Sequence, residues 1–483
     1  MRFSRWKCLL RVVAFALAFA VCFFAVQSAF GFNQSFAYLN SKGFPKEKKG
    51  SLDGVYIGAS NVHAFWQPLI GWAEYGIAVY NYSFDAMPAG AVRHLMEAAR
   101  KRQPDALYMV NLNQFKNEEK TDTEDVVTHL HRILDYMPVS VERARMIGGL
   151  AKTYRLTISQ QLELLFPIIP FHSRWNDLKS WALGGEINDY KSSRSKAIFL
   201  TGRKDLSGKY TFDDGRLSPK KSVTSELEEL LDYADATGTR ILFIKAPQAM
   251  SANRQQYLNT LEDLALQRGY PCLDLHEQIE RTGIDPSWDF YNESHTNIHG
   301  SVKYTRCLAE YLIENYGFTD KRGQSGWESW SEAEGRYYGM LKAYLLPFEQ
   351  ERGLRTALEA PALGKPEVEA QDITLSWSAS DGAEGYQVYR KGGEGGNRWR
   401  LVGQTDAQTL SWRDSGLRPS NEYAYTVVGI QWDGGEARYG SFDQRGVTAK
   451  TADGGKKKKA SGTDEPKESD ETDDEESAGG DEE

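Results

Sequence analysis

The sequence predicts two folded regions of different class, an α/β domain followed by an all-β sandwich. In the first region, short apolar runs alternate with amphipathic stretches of helical period, which is the pattern of a parallel sheet covered by helices. In the second region, residues 366–451, strand patterns recur about every ten residues between Gly, Asp and Asn. A chain of 483 residues also exceeds one ordinary core, so more than one domain is expected from length alone.

The N-terminal segment, residues 1–32, is apolar with a basic flank. Four basic residues in its first eleven positions precede a 21-residue run, 12–32, in which Gln27 and Ser28 are the polar interruptions. A helix of that length spans about 30 Å of hydrocarbon, and its basic flank is expected to stay cytoplasmic. This predicts a single-pass anchor in the cell membrane with extracytoplasmic domains. The alternative is a signal peptide cleaved after the small residues that end at Gly31, which would give a secreted protein.

The α/β domain is predicted over residues 50–317. Between about 116 and 221 the alternation breaks, because the chain there is mostly polar and helical, and we interpret this stretch as an insertion that covers the active site. The strands are predicted at 55–60, 77–84, 105–113, 240–247 and 270–275, and the main helices between and after them at 68–76, 88–103, 225–238, 252–269 and 298–317.

A helical connector, residues 318–365, is predicted to lead into the β region. In that region Trp377 fits a buried tryptophan on an inner strand, and the stretch "LRPSNEYAYTV" gives Tyr423 and Tyr425 the spacing of a tyrosine corner. Over its whole length the region resembles a fibronectin type III module. Such modules usually space, bind or pack, so the resemblance places no catalysis there.

The net charge of −9 arises at the end of the C-terminal tail, which is predicted at residues 452–483. Its last twenty residues hold twelve acidic residues and one lysine, which leaves the rest of the chain near +2. With four lysines at 456–459 and few apolar residues, the tail cannot bury enough surface to order itself, and it is predicted to be disordered. The sequence has no basic stripe with interleaved aromatic residues, so nucleic acid is not expected as a partner.

Two residues of the α/β region have the side chains that nucleophilic catalysis needs. Ser60 ends the small-residue turn "IGAS" after the first strand, and His295 lies in the loop before the last helix. Ligands collect at the carboxyl ends of parallel strands, so the two are expected on one side of the sheet. A serine hydroxyl becomes a good nucleophile when a neighbouring imidazole takes its proton. Alone, a serine at a strand end is more often a helix cap, so the hypothesis depends on the pair.

The stretches "VYIGASN", "VYNYSFDAMP", "DALYMVNLN", "RILFIKAP" and "DFYNESHTNIHG" together resemble the SGNH/GDSL hydrolase superfamily. The resemblance covers residues 53 to about 316, apart from the insertion. It is greatest to the membrane-anchored members that accompany acylation of cell-envelope polysaccharide. It implies a flavodoxin-like, three-layer fold with a parallel sheet.

The resemblance also implies the site residues. Ser60 would be the nucleophile, and the oxyanion would be held by the Ser60 N–H, a backbone N–H near Ser83 and the side chain of Asn113, with Asn111 as the alternative to Asn113. The family has a glycine in the turn after the second strand, whereas this chain has "NYSFDAMPAG", with no glycine at the turn itself.

The residue that orients His295 is the main departure from the family. The family pattern is Asp-x-x-His, and this chain has Asn292 at that position. Asn292 can hold the imidazole through its side-chain carbonyl, as asparagine does in papain-like proteases. Alternatively, Asp289 or Glu293 reaches the ring. The third alternative is a site that is weak or inactive.

The function that follows is serine-dependent acyl ester chemistry on a cell-envelope glycan, either O-acetyl transfer or O-deacetylation through an acyl-serine. The resemblance implies cell-envelope polysaccharide and a membrane-bound O-acyltransferase as partners, and neither a cofactor nor a metal is expected. The alternative function is that of a catalytically weak or inactive surface protein, which binds glycan or a membrane acyltransferase.

Overall fold

The computed structural model describes most of the chain outside the acidic tail. The described residues are 2–32, 34–116, 123–180, 189–193, 202–351, 356, 358–392, 400–433, 436–443 and 446–453. Most of the predicted tail, from 454 onward, lies outside them, as do parts of the predicted insertion and connector. The described strands are β1 (Gly54–Gly58), β2 (Val79–Ser83), β3 (Leu107–Asn111), β4 (Ile241–Lys245), β5 (Cys272–Asp274), β6 (Phe290–Asn292), β7 (His295–Thr296), β8 (Glu367–Glu369), β9 (Asp372–Ser376), β10 (Gly385–Gly392), β11 (Arg400–Asp406), β12 (Ser411–Asp414), β13 (Glu422–Asp433), β14 (Glu436–Tyr439) and β15 (Val447–Lys450).

The helices surround the first sheet and form the insertion and the connector. Short 3₁₀ segments lie at Phe44–Lys46, Leu112–Gln114 and His172–Asp177. The described α-helices are α1 (Arg2–Ala29), α2 (Ser35–Gly43), α3 (Ser60–Phe65), α4 (Pro68–Tyr75), α5 (Ala91–Arg100), α6 (Thr123–Leu134), α7 (Val141–Tyr154), α8 (Ile158–Leu165), α9 (Ile168–Phe171), α10 (Lys221–Thr237), α11 (Ala252–Gln267), α12 (Ile279–Thr282), α13 (Ile298–Tyr316) and α14 (Glu328–Glu351).

The first five strands form one parallel sheet in the order β2-β1-β3-β4-β5. The chain therefore winds in one direction from β1 to β2 and in the other from β3 onward, which creates a topological switch point between β1 and β3. The predicted α/β class with a parallel sheet is confirmed.

Helices cover both faces of this sheet, which explains why its strands are mainly apolar. Val55 and Ile57 contribute to the core on one face and Tyr56 to the core on the other, and all three are fully buried. A strand alternates its side chains between two faces, so burial on both favours apolar residues at successive positions; Asn81 in the middle of β2 is buried as well, and its Nδ2 donates to Trp66 O at 2.9 Å. This is the reason that short continuous apolar runs, rather than alternating ones, predicted these strands.

The insertion lies between β3 and β4 and contains α6 to α9 among its described residues. Its helices α6, α7 and α8 bury Leu130, Leu150 and Leu164 in the same core that covers one face of the sheet. The capping box at the start of α8, where Thr157 and Gln160 exchange hydrogen bonds, fixes where that helix begins.

The N-terminal helix α1 contains one window, Trp6–Phe23, that is long and apolar enough to cross a membrane. The window has a mean hydropathy of 2.0, and none of it is buried against the rest of the chain. Length and composition fit a membrane anchor or a signal sequence equally. Immediately after α1 the chain enters the folded region, where Phe30 is buried and Phe32 N donates to Asp135 Oδ2 at 2.8 Å.

The C-terminal region is all-β, as predicted, and its strands pair in antiparallel fashion. One sheet has the order β11-β10-β13-β14, with β15 also paired to β13, and the other has the order β12-β9-β8. Trp377 is buried between them, and the Tyr423 hydroxyl accepts a hydrogen bond from Arg418 N at 3.2 Å, the contact expected of a tyrosine corner. The strands β8, β14 and β15 were not predicted; Glu367–Glu369 is exposed along its whole length, so it has no alternating pattern.

Candidate active site

The carboxyl ends of β1, β2 and β3 lie side by side. Gly58 pairs with Ser83, and Ile57 pairs with Val110, so the residues that follow all three strands emerge at one edge of the sheet. Ser60 comes two residues after Gly58 and is the first residue of α3. Because a helix leaves its first N–H groups without an intrahelical acceptor, the Ser60 N–H remains available to a ligand.

Ser60 and His295 are in contact although 235 residues separate them. The distance between Ser60 Oγ and His295 Nε2 is 2.8 Å, a hydrogen bond of ordinary length. Both side chains are half-buried, so the pair is packed on one side and open to solvent on the other. The structure thus brings together the two residues on which the sequence hypothesis depends.

Asn292 holds the other ring nitrogen of His295. Strands β6 and β7 form a small hairpin in which Asn292 and His295 are paired, and Asn292 Oδ1 lies 2.9 Å from His295 Nδ1. An amide oxygen can only accept, so Nδ1 carries the proton and Nε2 is left to accept from the Ser60 hydroxyl. Ser294, which the sequence analysis missed, donates its N–H to Asn292 Oδ1 at 3.0 Å, and its hydroxyl oxygen lies 3.1 Å from His295 Nδ1, where it can accept from the Nδ1 proton. A serine two residues after an asparagine is a turn signal that could have identified it.

The two acidic alternatives to Asn292 are directed elsewhere. Asp289 Oδ1 lies 2.7 Å from His299 Nδ1, and its Oδ2 accepts from Lys303 Nζ at 2.9 Å. Glu293 is exposed and pairs with two lysines at 3.1 Å each. Asp289 therefore sits at the base of α13 rather than beside the His295 ring, because the hairpin turns the chain back between Asp289 and His295.

Asp289 is buried, yet it remains a carboxylate. Burial raises the pKa of Asp289, but the hydrogen bond from His299 and the charges of His299 and Lys303 outweigh burial and hold the pKa below its usual value. Because the pKa of Asp289 is lower in the folded chain than in the unfolded chain, its ionised form stabilises the fold. This stabilisation is complete above the pKa of the unfolded chain, near 4, and it is lost as the pH falls through the pKa of the folded chain.

We expect Asp289→Asn to lower the free energy of unfolding by about 2 kcal/mol at pH 7, because His299 and Lys303 lose their charged partner. Chemical unfolding at pH 7 and near pH 3 measures this, and the difference from wild type should shrink at the lower pH. Glu293→Gln is the matched control, since it removes an exposed acid from the same loop and should leave the unfolding midpoint near the wild-type value. If Asp289→Asn lowers the free energy of unfolding by the same amount at both pH values, the assigned role of the Asp289 charge is wrong.

The two asparagines after β3 differ in what their amides do. Asn113 Nδ2 donates to Ala246 O at 2.8 Å, so this predicted oxyanion donor is engaged in holding the turn after β4. Asn111 Oδ1 accepts from Asn113 N at 3.0 Å, while Asn111 Nδ2 is buried without a hydrogen-bond partner among the described residues. Asn111 faces Gly58, where an added Cβ would lie 3.4 Å from Asn111 Cβ. The unpaired donor is therefore on Asn111, the residue that the sequence left as the alternative.

The turn after β2 is tied to α3 by a buried histidine. His63 Nδ1 lies 2.9 Å from Ser83 Oγ and His63 Nε2 lies 3.0 Å from Asp85 Oδ1. The N–H of Phe84, directly after Ser83, donates to Gly58 O at 3.2 Å and so is already engaged. Ala86 in the same turn has a φ of 52°, a left-handed conformation that glycine adopts most easily. The turn thus contains a left-handed residue although no glycine occupies that position.

Among the residues that the structure describes, no group of three or more His, Cys, Asp or Glu side chains is arranged to hold a metal ion. The four cysteines are free thiols, and none of them belongs to the contacts around Ser60. What the site offers is therefore a serine, an imidazole with a fixed tautomer, and nearby amide donors.

Comparison with known proteins gives a likeness for about a fifth of the chain. No protein-family model and no curated protein sequence matches it. Among solved structures, the chain is similar to a β-1,2-glucanase from Parabacteroides distasonis at 20% identity and a TM-score of 0.18, over 20% of this chain and 13% of the glucanase. It is also similar to the FN5 domain of Drosophila Lar, at 19% identity and a TM-score of 0.17, over 20% of this chain and 99% of that domain. An FN3 domain of human collagen XX matches at 21% identity and a TM-score of 0.15, over 20% of this chain and 88% of that domain.

Proposed function

We propose that the protein is a serine-dependent acyl esterase or O-acyltransferase of the SGNH type, with a flavodoxin-like three-layer catalytic domain. The observation that carries this proposal is the hydrogen-bonded series Ser60 Oγ, His295 and Asn292 Oδ1, with distances of 2.8 and 2.9 Å, at the carboxyl end of β1. The topological switch point beside β1 is where ligands bind in sheets of this kind. The sequence resemblance to the superfamily, which covers residues 53 to about 316, supports the same assignment.

The proposed reaction has two steps. Ser60 Oγ attacks the carbonyl carbon of an acyl ester while His295 Nε2 takes the hydroxyl proton, and the imidazolium then gives that proton to the departing alcohol oxygen. The resulting acyl-serine is attacked by water, which releases a carboxylic acid, or by a sugar hydroxyl, which receives the acyl group. In either case His295 takes the proton of the attacking oxygen and returns it to Ser60 Oγ.

Asn292 serves this reaction by geometry rather than by charge. Its amide oxygen holds the His295 ring in the tautomer that accepts from Ser60, but it carries no negative charge to stabilise the imidazolium. A carboxylate at this position does both. The site is therefore expected to be slower than one with an aspartate, and most active at a pH where the imidazole is neutral before attack.

The oxyanion that forms during attack is expected to be stabilised by the Ser60 N–H and by Asn111 Nδ2 rather than by Asn113. Asn111→Ser should reduce acyl-ester turnover by about 10²- to 10³-fold, because it removes the unpaired amide donor. Serine keeps an oxygen that can accept from Asn113 N. Asn113→Ser is the matched comparison, and in the same assay it should reduce acyl-ester turnover less than Asn111→Ser does. A larger loss for Asn113→Ser would assign the donor to Asn113 instead.

The substrate that we propose is an acylated cell-envelope glycan, and the position of α1 supports an extracytoplasmic site. A basic flank before the apolar window favours retention of that flank in the cytoplasm, which puts the α/β domain on the other side of the membrane. An enzyme there meets envelope polysaccharide. A membrane-bound O-acyltransferase that supplies the acyl group would be its partner in transfer.

The proposal is tested with the full chain in detergent, incubated with p-nitrophenyl acetate in the presence and absence of polysaccharide acceptors. We expect nitrophenol release that requires Ser60, and acetate on the acceptor if transfer is the reaction. Ser60→Ala protein that is folded and releases nitrophenol at the wild-type rate would overturn the proposal.

A non-catalytic glycan-binding protein is the second candidate, and one observation favours it. The orienting residue is the neutral Asn292, whereas the buried carboxylate of Asp289 is bound to His299 and Lys303. A folded wild-type protein that binds acylated polysaccharide, but neither turns over activated esters nor transfers the acyl group, would support this second candidate.

A further inference from the structure

The helical insertion carries exposed apolar side chains that the proposed chemistry does not use. Ile158 and Leu162 are four residues apart and share one face of α8, where Ile158 is 76% exposed. Ile169 on α9 is 47% exposed, and Trp175 in the next 3₁₀ segment is 61% exposed. We call these four side chains the apolar surface. Large apolar side chains gathered on consecutive segments mark a contact site.

The apolar surface adjoins the last turns of α1. The ring of Phe166, directly after α8, lies 6.0 Å from the ring of Phe23. The ring of Trp175 packs edge-on against that of Phe30, with 4.6 Å between the ring centres. The segments at both ends of the apolar surface therefore contact α1 or the residues immediately after it.

The position of these contacts along α1 determines how far the apolar surface lies from the centre of the membrane that α1 would cross. The window Trp6–Phe23 has 18 residues, which as a helix reach about 27 Å, close to the thickness of a hydrocarbon core. Phe23 is the last residue of the window. One turn further, Gln27 is buried and donates to Leu165 O at 3.3 Å, so α1 enters the folded region where α8 ends. The apolar surface thus lies at the level where the span would leave the membrane.

The residue types of this region suit the interface of a lipid bilayer. Tryptophan is enriched at the headgroup level, and a helix with one aliphatic face lies in the interface plane. Arg174 adds a basic group, and its guanidinium lies 3.9 Å from the centre of the Phe171 ring while donating to Gly31 O at 3.3 Å. A long basic side chain packed on an aromatic ring can keep its charge among headgroups while its stem stays apolar.

We propose that the apolar surface inserts into the headgroup region of the same bilayer that α1 crosses. The α/β domain would then be seated on the membrane by two contacts, the span and the insertion, which fixes its height above the lipid. The occupant is lipid rather than another protein, because the surface is continuous with the contacts of α1 and lies at the end of its apolar window. This inference depends on α1 acting as an anchor and is independent of the chemistry of Ser60.

The test uses the full chain, reconstituted in vesicles of phosphatidylcholine and phosphatidylglycerol, with an environment-sensitive fluorophore attached at Ile169→Cys. The exposed or half-buried native cysteines, Cys8, Cys22 and Cys272, are replaced by alanine. The matched control is Leu266→Cys on α11, where the native leucine is 50% exposed and lies outside the insertion. The vesicles also contain a lipid with a doxyl group near its headgroup. This lipid is expected to quench the fluorophore at position 169 at least twofold more than the fluorophore at position 266.

Equal quenching at the two positions in lipid vesicles would overturn the proposal. The same result together with cross-linking of position 169 to a membrane protein in native membranes would assign the surface to that protein instead. Because Ile169 and Leu266 are exposed and the replaced cysteines are exposed or half-buried, the labelled proteins are expected to fold, and circular dichroism of each verifies it.

Discussion

Replacing Ser60 by alanine is expected to reduce acyl-ester turnover by about 10⁴- to 10⁶-fold, because it removes the oxygen that would become acylated. His295→Ala should give a loss of similar size, since without the imidazole the serine hydroxyl keeps its proton. The double variant should be no slower than either single variant, because residues that act as one unit are not additive. Rates of nitrophenol release by the purified full-length proteins measure all three effects.

Ser222→Ala is the control for this series, because Ser222 is exposed in the first turn of α10 and outside the site. It should leave turnover unchanged. If the loss of turnover in the double variant equals the two single losses combined, Ser60 and His295 act separately. The 2.8 Å hydrogen bond between them argues against that result.

Replacing Asn292 by alanine is the substitution with the second largest expected effect, a loss of about 10²- to 10⁴-fold in turnover. It removes the acceptor that fixes the His295 tautomer, and it also frees the N–H of Ser294. Asn292→Asp should recover turnover to at least the wild-type level, because a carboxylate accepts the same hydrogen bond and stabilises the imidazolium. The dependence of rate on pH should also change in Asn292→Asp, since the fall in rate on the acid side should begin at a higher pH.

The pH profile separates a catalytic role of Asn292 from a structural one. A loss of turnover in Asn292→Ala that arises from a disordered hairpin would be accompanied by a lower unfolding midpoint, and the profile of the remaining activity would keep its shape. An Asn292→Asp protein whose acid limb stays at the wild-type pH would contradict direct contact with the imidazole.

The sheet could be predicted because its strands are buried on both faces. Runs such as Val79–Ser83 and Ile241–Lys245 have a buried residue at every position, and most of those residues are apolar or aromatic. Edge strands of the β region had no such signal. Glu367–Glu369 is exposed throughout and is held by pairing with β9, which depends on residues outside the segment itself.

The pairing of Ser60 with His295 followed from the parallel topology, since residues at the carboxyl ends of its strands share one edge. The partner of His295 could not be decided from the sequence. Asn292, Glu293 and Asp289 lie three, two and six residues before the histidine, and the choice depends on the hairpin of β6 and β7. That hairpin is too short, and too polar, to give a periodic signal.

The sequence could not decide between the two proposed oxyanion donors for a similar reason. Asn111 and Asn113 are two residues apart, and the sequence gives both the same chemistry. What separates them is a distant acceptor, Ala246 O, which occupies the amide of Asn113 and leaves that of Asn111 unpaired. Contacts between residues more than a hundred positions apart have no counterpart in local pattern.

The central claim is that Ser60 is an activated nucleophile, and active-site labelling tests it most directly. The full-length protein in detergent is treated with a fluorophosphonate, digested, and the modified peptide is identified by mass spectrometry. We predict one adduct, on Ser60, which is absent after heat denaturation and strongly reduced in His295→Ala. A folded wild-type protein that carries no adduct on Ser60 would contradict the claim.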